Sequence, residues 1–473
     1  MHIIRGKIYW ILLLSLLFCW GCKVGKNYRG TEIIVPESFY MENSDLPVDT
    51  LLLNTDTLEV DSLSAVRWWG IFEDPILDSL IQQGLLNNQD LNIALESIIQ
   101  ASYMLQIQRR ELLPKLDLQA GYARGNYQGF RVPDPTNNIF LTGNLKWELD
   151  FFGKLRRLNE AAMASYIATV EGTRALKISL VAGIAQTYFN MLEFKALWDI
   201  SEKTLKSRDS VLYIVERRFE EGIIPELDVD QSQIQQAIAA SAVPFYKRQY
   251  YQSQNALHVL LGDRPGNIEI GMELKDQGID IDIPIGLPSE LLFRRPDLVA
   301  AEQELIAANA LVGVAQAQRL PSISLTGLLG VASDDLSELT GNGMAWNIGG
   351  GLLGPLFYWG QNVKRVKVEK SRRNQALLNY QASAINAFRE VEDALIQIET
   401  LKDELSASEV RLRAADHAEM LSFQRYDKGV TSYLEYLEQQ RQAFDAAQIL
   451  ISTKSQLLSS YVNLYKVLGG GWD

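Results

Sequence analysis

A tandem repeat with an offset of 207 residues constrains the fold of this chain more than any other feature of its sequence. Residues 218–231, RFEEGIIPELDVDQ, and residues 425–438, RYDKGVTSYLEYLE, each join one long helical pattern to another. The same offset relates Pro114 to Pro321, Phe152-Gly153 to Trp359-Gly360, and Leu261-Gly262 to Leu468-Gly469. Because a repeated segment is one structural unit used again, the sequence predicts two copies of one fold after an N-terminal extension.

The first residues have the layout of an export signal. Residues 8–19 form an apolar run that follows Arg5 and Lys7 and is too short to span a bilayer, which is typical of a secretory signal peptide. Because the signal ends in Gly21-Cys22, we expect lipoprotein processing that leaves Cys22 as the lipidated first residue. An ordinary signal peptide with an incidental cysteine is the alternative. We therefore assign residues 1–21 to the signal and residues 22–75 to a lipidated N-terminal arm.

The rest of the chain divides at positions that the repeat sets. We assign residues 76–262 to the first copy, 263–288 to a linker, 289–469 to the second copy and 470–473 to a C-terminal tail. In each copy a helix ends at a proline, two strands follow, and a short turn then joins two long helices. The predicted strands lie at about 115–123, 139–150, 322–331 and 344–357. The first long helix of each copy has about 68 residues, or about 100 Å at 1.5 Å per residue.

The second predicted strand has one apolar and one polar face. The apolar face carries Leu141, Gly143, Leu145, Trp147 and Leu149, and the polar face carries Thr142, Asn144, Lys146, Glu148 and Asp150. Such a strand suits a membrane barrel that meets lipid outside and water inside. A half-buried sheet of a soluble protein has the same pattern, so the strands alone leave both interpretations open.

Closure of a sheet in a membrane would require several copies of the chain. The sequence shows no apolar run of about 20 residues, the length that a spanning helix needs, so membrane insertion would use strands. Four strands cannot close a barrel, and lipid does not tolerate open sheet edges. Two chains would give eight strands with a filled interior, and three would give twelve strands with a lumen. The long helices could line a hollow cylinder or form a solid coiled coil, and the strands fused to them favour the cylinder.

Several longer motifs resemble one protein family. They are CKVGKNY at 22–28, WWGIFEDPILDSLI at 68–81, LPSELLFRRPDLVAAE at 287–302, PLFYWG at 355–360, AFREVEDAL at 387–395, RYDKGVTSYLEYLEQQR at 425–441 and LYKVLGGGW at 464–472. Through these motifs the chain resembles the TolC-like outer membrane factors, in particular the lipoprotein branch that serves tripartite efflux systems with an RND pump. The resemblance covers residues 22–472.

This resemblance implies a mainly α-helical fold with a transmembrane β-barrel portion. A homotrimer would form a twelve-stranded barrel in the outer membrane, continuous with a periplasmic α-barrel. It would passively conduct drugs, metal ions or other small molecules to the exterior. The implied partners are a periplasmic adaptor (membrane fusion) protein, an inner-membrane RND pump and outer membrane lipid. A type I secretion conduit for polypeptides is the alternative function, and a structural coiled-coil surface protein is a more distant one.

The resemblance also places a gate at the periplasmic end of the tube. By motif position the aperture is formed by Leu434 and Glu438, and Arg389, Asp393 and Tyr426 belong to its latch. Because Leu434 and Glu438 are four positions apart, they share a helical face; a solvated acidic surface is the alternative role. The adaptor is expected to dock on the two helix turns, formed by Gly222, Ile223, Ile224, Pro225, Gly429, Val430, Thr431 and Ser432.

Residues that would support catalysis are scarce in this sequence. His258 and His417 stand alone on predicted helices, and no cysteine follows Cys22. We therefore expect no metal site, no cofactor and no enzymatic activity. The formal net charge of −13 argues against a nucleic-acid partner.

Overall fold

The structure is a computed structural model that describes residues 23–31, 33, 35–36, 39, 68–125, 136–278, 288, 291–339, 341 and 343–470. The signal peptide, Cys22, Ser289, the loop 126–135 and residues 471–473 lie outside these ranges, as does most of the predicted arm. The described residues form two compact units. The first contains the described residues within 1–33, 96–171 and 299–383, and the second contains those within 34–95, 172–298 and 384–473.

The helices of the two copies match almost residue for residue. The first copy contains α1 (Pro75–Asn87), α2 (Gln89–Arg110), β1 (Lys115–Gly125), β2 (Thr136–Leu149), α3 (Lys154–Glu220) and α4 (Glu226–Leu260). The second contains α5 (Leu291–Arg294), α6 (Pro296–Ala317), β3 (Ser322–Ser333), β4 (Met344–Leu353), α7 (Gln361–Asp427) and α8 (Tyr433–Val467). Helices α2 and α6, α3 and α7, and α4 and α8 begin and end at positions 207 apart, which the repeat predicts.

Local capping chemistry explains where the shorter helices start. Asp74 caps α1 by accepting hydrogen bonds from the backbone N–H groups of Ile76 and Leu77, and Pro75 occupies the first helical position. Asn88 separates α1 from α2, because its Oδ1 accepts from the N–H of Leu91. The helical segment of residues 75–110 is therefore interrupted at Asn88. In the second copy the same break comes immediately before Pro296.

The four strands form one antiparallel sheet in the order β1-β2-β3-β4, within the first unit. Strands β1 and β4 are its edges. Residues directly opposite each other share a face, and the register places one apolar set together across all four strands. This set includes Leu116, Leu118, Tyr122, Leu141, Leu145, Trp147, Ile323, Leu325, Leu329, Val331, Trp346, Ile348 and Leu352. The opposite face carries mainly polar and small residues, including Gln119, Thr142, Asn144, Ser324, Thr326 and Asn347.

The predicted limit of the last strand was wrong. Strand β4 ends at Leu353, four residues before the expected limit at residue 357. Pro355 lies within those four residues and has no N–H to donate to a strand neighbour. Residues 356–359, which follow it, are apolar or aromatic and resemble a strand, so the strand was predicted to be too long.

Helix α6 differs from the expectation that no segment could span a membrane as a helix. Among the described helices it alone has the length and composition for this, with a mean hydropathy of 1.4 over its most apolar stretch. This helix is partly buried, and Ala307 and Ala310 pack against Ala161 and Ala164 of α3. Core helices pass the same test of length and composition.

A buried carboxylate holds three segments of the second unit together. Asp74 accepts hydrogen bonds from Tyr188 Oη at 2.7 Å, from Gln277 Nε2 at 2.8 Å and from the backbone N–H of Met272 at 3.2 Å. Tyr188 belongs to α3, and Met272 and Gln277 belong to the segment that follows α4. The residue that caps α1 therefore also joins α1 to α3 and to that segment. Because the site excludes water, each donor depends on this acceptor.

We predict that Asp74→Ala destabilises the protein by about 3 kcal/mol, because the buried donors lose their acceptor and α1 loses its cap. The change should lower the melting temperature of the helical signal in far-UV circular dichroism of the detergent-solubilised protein. Asp90→Ala, in the exposed first turn of α2, is the matched control and should leave that temperature nearly unchanged. Equal melting of the two variants would contradict the assigned role of Asp74.

Candidate functional site

The two helix turns that were predicted as a docking rim share one backbone motif. At the end of α3, Ile223 N–H donates to Arg218 O at 2.9 Å and Gly222 N–H donates to Phe219 O at 2.8 Å. At the end of α7, Val430 N–H donates to Arg425 O at 2.9 Å and Gly429 N–H donates to Tyr426 O at 3.0 Å. Gly222 and Gly429 both have φ of 72°, a conformation that glycine adopts without strain. The repeat therefore preserves this turn geometry.

Aromatic residues form the core of the tip beside these turns. Tyr426 of α7 packs against Tyr433 and Tyr436 of α8, with ring centroids 5.4 Å and 6.1 Å away. Three valines complete the buried cluster: Val211 and Val215 from α3 and Val229 from α4. All four long helices therefore contribute to one apolar contact at this end of the second unit. Tyr426, predicted as a latch residue, lies inside this core rather than on a free surface.

Charged residues connect the turns of the two copies. The Arg218 guanidinium lies 5.0 Å from the ring centroid of Tyr426, and its Nη2 is 2.9 Å from Asp427 Oδ1. Within the second copy, Arg425 Nη1 is 3.1 Å from Glu435 Oε1, and Thr431 donates its hydroxyl to Glu435. Arg218 and Arg425 occupy equivalent positions, yet Arg218 pairs with a carboxylate of the other copy and Arg425 with one of its own copy.

The two predicted aperture residues both lie on the first turns of α8. Leu434 is exposed, and the Glu438 carboxylate is partly exposed. Glu438 accepts a hydrogen bond from Gln442 Nε2 at 3.0 Å and pairs with Arg441 Nη2 at 2.7 Å. The bond from Gln442, together with that from Arg441, holds the pKa of Glu438 below its ordinary value. The Glu438 carboxylate is therefore ionised at neutral pH, and Arg441 of the same helix compensates its charge.

Arg389 and Asp393 do not belong to this cluster. They pair with each other on α7, with Arg389 Nη1 at 2.6 Å from Asp393 Oδ2. Arg389 precedes Tyr426 by 37 positions on one continuous helix, which is about 55 Å at 1.5 Å per residue. Their neighbour Glu390 binds Arg295, which donates to Val467 O at the far end of α8. A latch that joins this pair to Leu434 and Glu438 is therefore ruled out within the chain.

The turns themselves present apolar side chains to solvent. Ile223 and Val430 occupy equivalent positions directly after the two glycines, and both are largely exposed. Leu227 and Leu434, one helical turn further along, are also exposed and equivalent. Acidic and basic residues flank them, including Glu220, Glu221 and Lys428. This end of each copy is thus an apolar knob with a charged border.

The residues that follow Cys22 are fixed to the first unit by a buried arginine. Arg157 donates from Nε to Val24 O at 3.0 Å and from Nη2 to Gly25 O at 2.6 Å. Its Nη1 donates to Glu160 Oε2 at 2.8 Å, and Glu160 also accepts from Lys23. Burial raises the pKa of Glu160, but the bonds from Lys23 and Arg157 outweigh burial and hold that pKa below its ordinary value of 4.5. Cys22 therefore precedes an anchored segment.

Sequence reasoning missed several of these partners. Arg441 follows Glu438 by three positions, the spacing of a helical ion pair, so this contact could have been predicted. Arg218 and Asp427 are 209 positions apart, and only packing brings them together. Among the described residues no group of His, Cys, Asp or Glu has the arrangement of a metal site. His258 is buried without a hydrogen-bond partner for either ring nitrogen.

Comparisons with known proteins agree with this architecture. The family described as "Outer membrane efflux protein" matches residues 80–263 and 287–470. The chain is 32% identical over 460 residues to the cation efflux system protein CusC of Escherichia coli, covering 96% of each chain. It is 36% identical over 419 residues to the solvent efflux pump outer membrane protein SrpC of Pseudomonas putida, covering 85% of this chain and 87% of SrpC. The open-state MtrE outer membrane channel of Neisseria gonorrhoeae superposes with a TM-score of 0.82 at 29% identity, covering 95% of this chain and 98% of MtrE.

Arg157 and Glu160 hold the residues that follow Cys22, and we call these contacts the clamp. The clamp should depend on the charge of Glu160. Because its folded-state pKa lies below 4.5, the clamp is at full strength above about pH 4.5 and weakens as the pH falls through the folded pKa. We predict that Glu160→Gln loosens the arm at neutral pH and speeds tryptic cleavage after Lys26 about tenfold, as expected for one lost charged hydrogen bond. Glu111→Gln, which removes the exposed pair with Lys115, is the control. Cleavage at the wild-type rate in Glu160→Gln would show that the clamp does not hold the arm.

Proposed function

Since this chain belongs to the outer membrane efflux protein family, we propose that three copies assemble into an outer membrane efflux channel with a gate at its helix tips. The chain is an outer membrane efflux channel, like the relatives that it matches along most of its length. The observation that carries the proposal is the four-stranded sheet with one apolar and one mainly polar face, joined to helices of 67 residues. Such a sheet meets lipid on one side and water on the other.

The number of copies follows from the sheet. Among the described residues, each of its edge strands β1 and β4 has a strand neighbour on one side only. Backbone groups in lipid must be satisfied, so the sheet has to close on itself through other copies. Two copies would give a barrel filled by side chains, whereas three copies give twelve strands and leave a lumen. A homotrimer is therefore the smallest assembly that conducts.

The transported compounds and partners are inferred at the level of class. The two curated relatives are named for the efflux of cations and of solvents, and we propose small solutes of these kinds, moved without chemical conversion. A periplasmic adaptor would dock on the apolar knobs of Ile223 and Val430 and connect the channel to an inner-membrane RND pump. Lipidation of Cys22, next to the clamped residues Lys23 to Gly25, would add an anchor in the outer membrane.

The aperture would be formed by the second copy. Three chains would bring together three Leu434 side chains and, one helical turn away, three Glu438 carboxylates. Three carboxylates brought close together would repel one another. Each Glu438, however, forms an ion pair with Arg441 of its own chain. The resting tip can therefore stay narrow, and a docked adaptor can favour a wider state by binding it better. The proposed gate leaves out Arg389 and Asp393, because they lie about 55 and about 50 Å from Tyr426 along α7.

We predict that the double change Leu434→Ala and Glu438→Ala raises single-channel conductance in planar lipid bilayers severalfold, because it removes the side chains that narrow the aperture. The repeat supplies a matched control. Leu227 and Gln231 are the equivalent positions in the first copy, and Leu227 is as exposed as Leu434, at 60% against 59%. Leu227→Ala with Gln231→Ala should leave conductance near the wild-type value. Equal conductance of the two double variants would refute an aperture made by the second copy.

If the adaptor docks on these turns, a charge introduced there should weaken its binding. Ile223→Asp together with Val430→Asp should weaken co-purification of the cognate adaptor at least tenfold, because a carboxylate would lose its hydration on entering an apolar contact. Leu336→Asp, at an exposed position between β3 and β4, is the control and should co-purify normally. If the turn variant still captures the adaptor at wild-type yield, the adaptor binds elsewhere.

A further inference from the structure

A small basic cavity lies in the first unit, where the N-terminal arm meets α6 and α7. Its volume is about 200 Å³, and it is lined by Lys26, Asn309, Val312, Gly313, Gln316, Lys370 and Arg373. The first of these residues belongs to the arm, the next four to α6 and the last two to α7. Among these described lining residues three are cationic, two carry amides and none is acidic. We call this space the basic cavity.

The three cations of the basic cavity have no acidic partner among the described residues. Glu369 directly precedes Lys370, but it pairs with Arg372, whose Nη1 lies 2.8 Å from Glu369 Oε1. Arg373 donates from Nη2 to the neutral amide oxygen of Asn374 at 3.1 Å. Like charges that lie close together repel one another. An anion that entered the cavity would therefore be attracted by all three cations.

Backbone contacts fix one wall of the basic cavity. Asn309 donates from Nδ2 to the backbone oxygen of Lys26 at 3.0 Å, which holds the arm beside α6. A Cβ atom on Gly25 would lie 2.8 Å from Gly313 Cα, well inside the usual contact distance between carbon atoms. The two glycines therefore allow the arm to approach α6 closely. Lys26 is thus held at the cavity by its backbone.

The repeat shows that the charges of this cavity are not required by the shared fold. The residues equivalent to Lys370 and Arg373 in the first copy are Met163 and Tyr166. Residues 361–374 carry six basic residues and one acidic residue, whereas the equivalent stretch of α3 carries three basic residues and one acidic residue. Both stretches are helical. The additional positive charge, in a chain with a formal net charge of −13, therefore indicates a role other than helix formation.

We propose that the basic cavity binds the phosphate group of an anionic phospholipid in the periplasmic leaflet of the outer membrane. Lys26 follows Cys22, the expected lipid anchor, by four positions, or about 14 Å of extended chain. Gln316 lies one residue before the end of α6 and six residues before β3 begins. The cavity thus starts close to the end of the sheet. This inference rests on the proposed membrane sheet and adds a lipid partner.

The side chains of the basic cavity suit a phosphodiester. Arg373 can donate two parallel hydrogen bonds to a pair of phosphate oxygens, and the two lysines can add charge without a fixed geometry. Gln316 supplies an amide donor beside them. The three cations would repel the quaternary ammonium group of a choline lipid, so an anionic lipid such as phosphatidylglycerol is favoured. The volume is below the range of about 300–1,000 Å³ for pockets that hold drug-sized ligands, so a headgroup fits better than a transported solute.

Lipid binding by the full-length, detergent-solubilised protein tests this site. Native mass spectrometry with phosphatidylglycerol, phosphatidylcholine or inorganic phosphate gives a dissociation constant for each probe. We expect phosphatidylglycerol to bind the wild-type protein at least tenfold more tightly than either of the other two. Lys370→Gln with Arg373→Gln should weaken phosphatidylglycerol binding at least tenfold, because charged hydrogen bonds are lost. Lys26→Gln should weaken it severalfold, and it decides the question even if the α7 variant fails to fold.

The matched control is Lys364→Gln with Lys367→Gln. It removes the same charge from the same stretch of α7, nearer to the strands, but neither residue lines the basic cavity. Phosphatidylglycerol should bind this control with nearly wild-type affinity. Equal losses in the two double variants would show a diffuse attraction to the whole stretch and overturn the cavity as the site. Inorganic phosphate that binds as tightly as phosphatidylglycerol would overturn a lipid as its ligand.

Conductance separates this proposal from the proposed function. A wild-type protein that conducts ions in planar bilayers but binds phosphatidylglycerol no better than phosphatidylcholine would overturn the lipid site alone. A wild-type protein that selects phosphatidylglycerol through the basic cavity but does not conduct would overturn the proposed channel and leave the lipid site standing.

Discussion

The hydrogen-bonding demand of a sheet edge is the constraint on which the rest of this architecture depends. Strands β1 and β4 leave a row of backbone donors and acceptors without strand partners in the described residues, and lipid offers no substitute for them. The tandem repeat supplies a solution because β4 and β1 are related to β2 and β3, which already pair. The contact between the two hairpins therefore satisfies the facing backbone groups of β2 and β3 within one chain.

Buried polar residues connect the loops and helix ends that the repeat alone does not fix. Arg157 holds the arm through Val24 and Gly25, and Asp74 joins α1 to α3 and to the segment after α4. Arg295 joins the break before α6 to α7 and α8 through Glu390 and Val467. Removing one partner from such a group leaves buried charge uncompensated, which is costly. These residues differ between the copies, so the two halves are alike in helices but not in their junctions.

The sequence predicted what depends on local signals. Gly222 and Gly429 mark the turns between the long helices as predicted, whereas α2 and α6 end four residues before Pro114 and Pro321. The prediction that Arg389 and Asp393 belong to the latch was wrong, because the position of a motif in the sequence does not show how far apart residues lie. About 55 Å of helix separates Arg389 from Tyr426. The contact of Arg218 with Tyr426 and Asp427 joins different copies, and no local pattern indicates it. The adaptor-docking turns and the aperture stay predictions.

The difference between the two tips explains how one copy could move as a gate. Both turns share the same backbone bonds, but the second is also held by Glu435, which binds Arg425 and Thr431. Its equivalent in the first copy is Asp228, whose pKa is raised by burial. The second turn is therefore the better braced, and Leu434 is attached to it. The contact of Arg218 with Asp427, by contrast, lies near solvent, where an ion pair contributes little. We therefore propose that an adaptor docked on the tip would break this ion pair before it deforms the second turn.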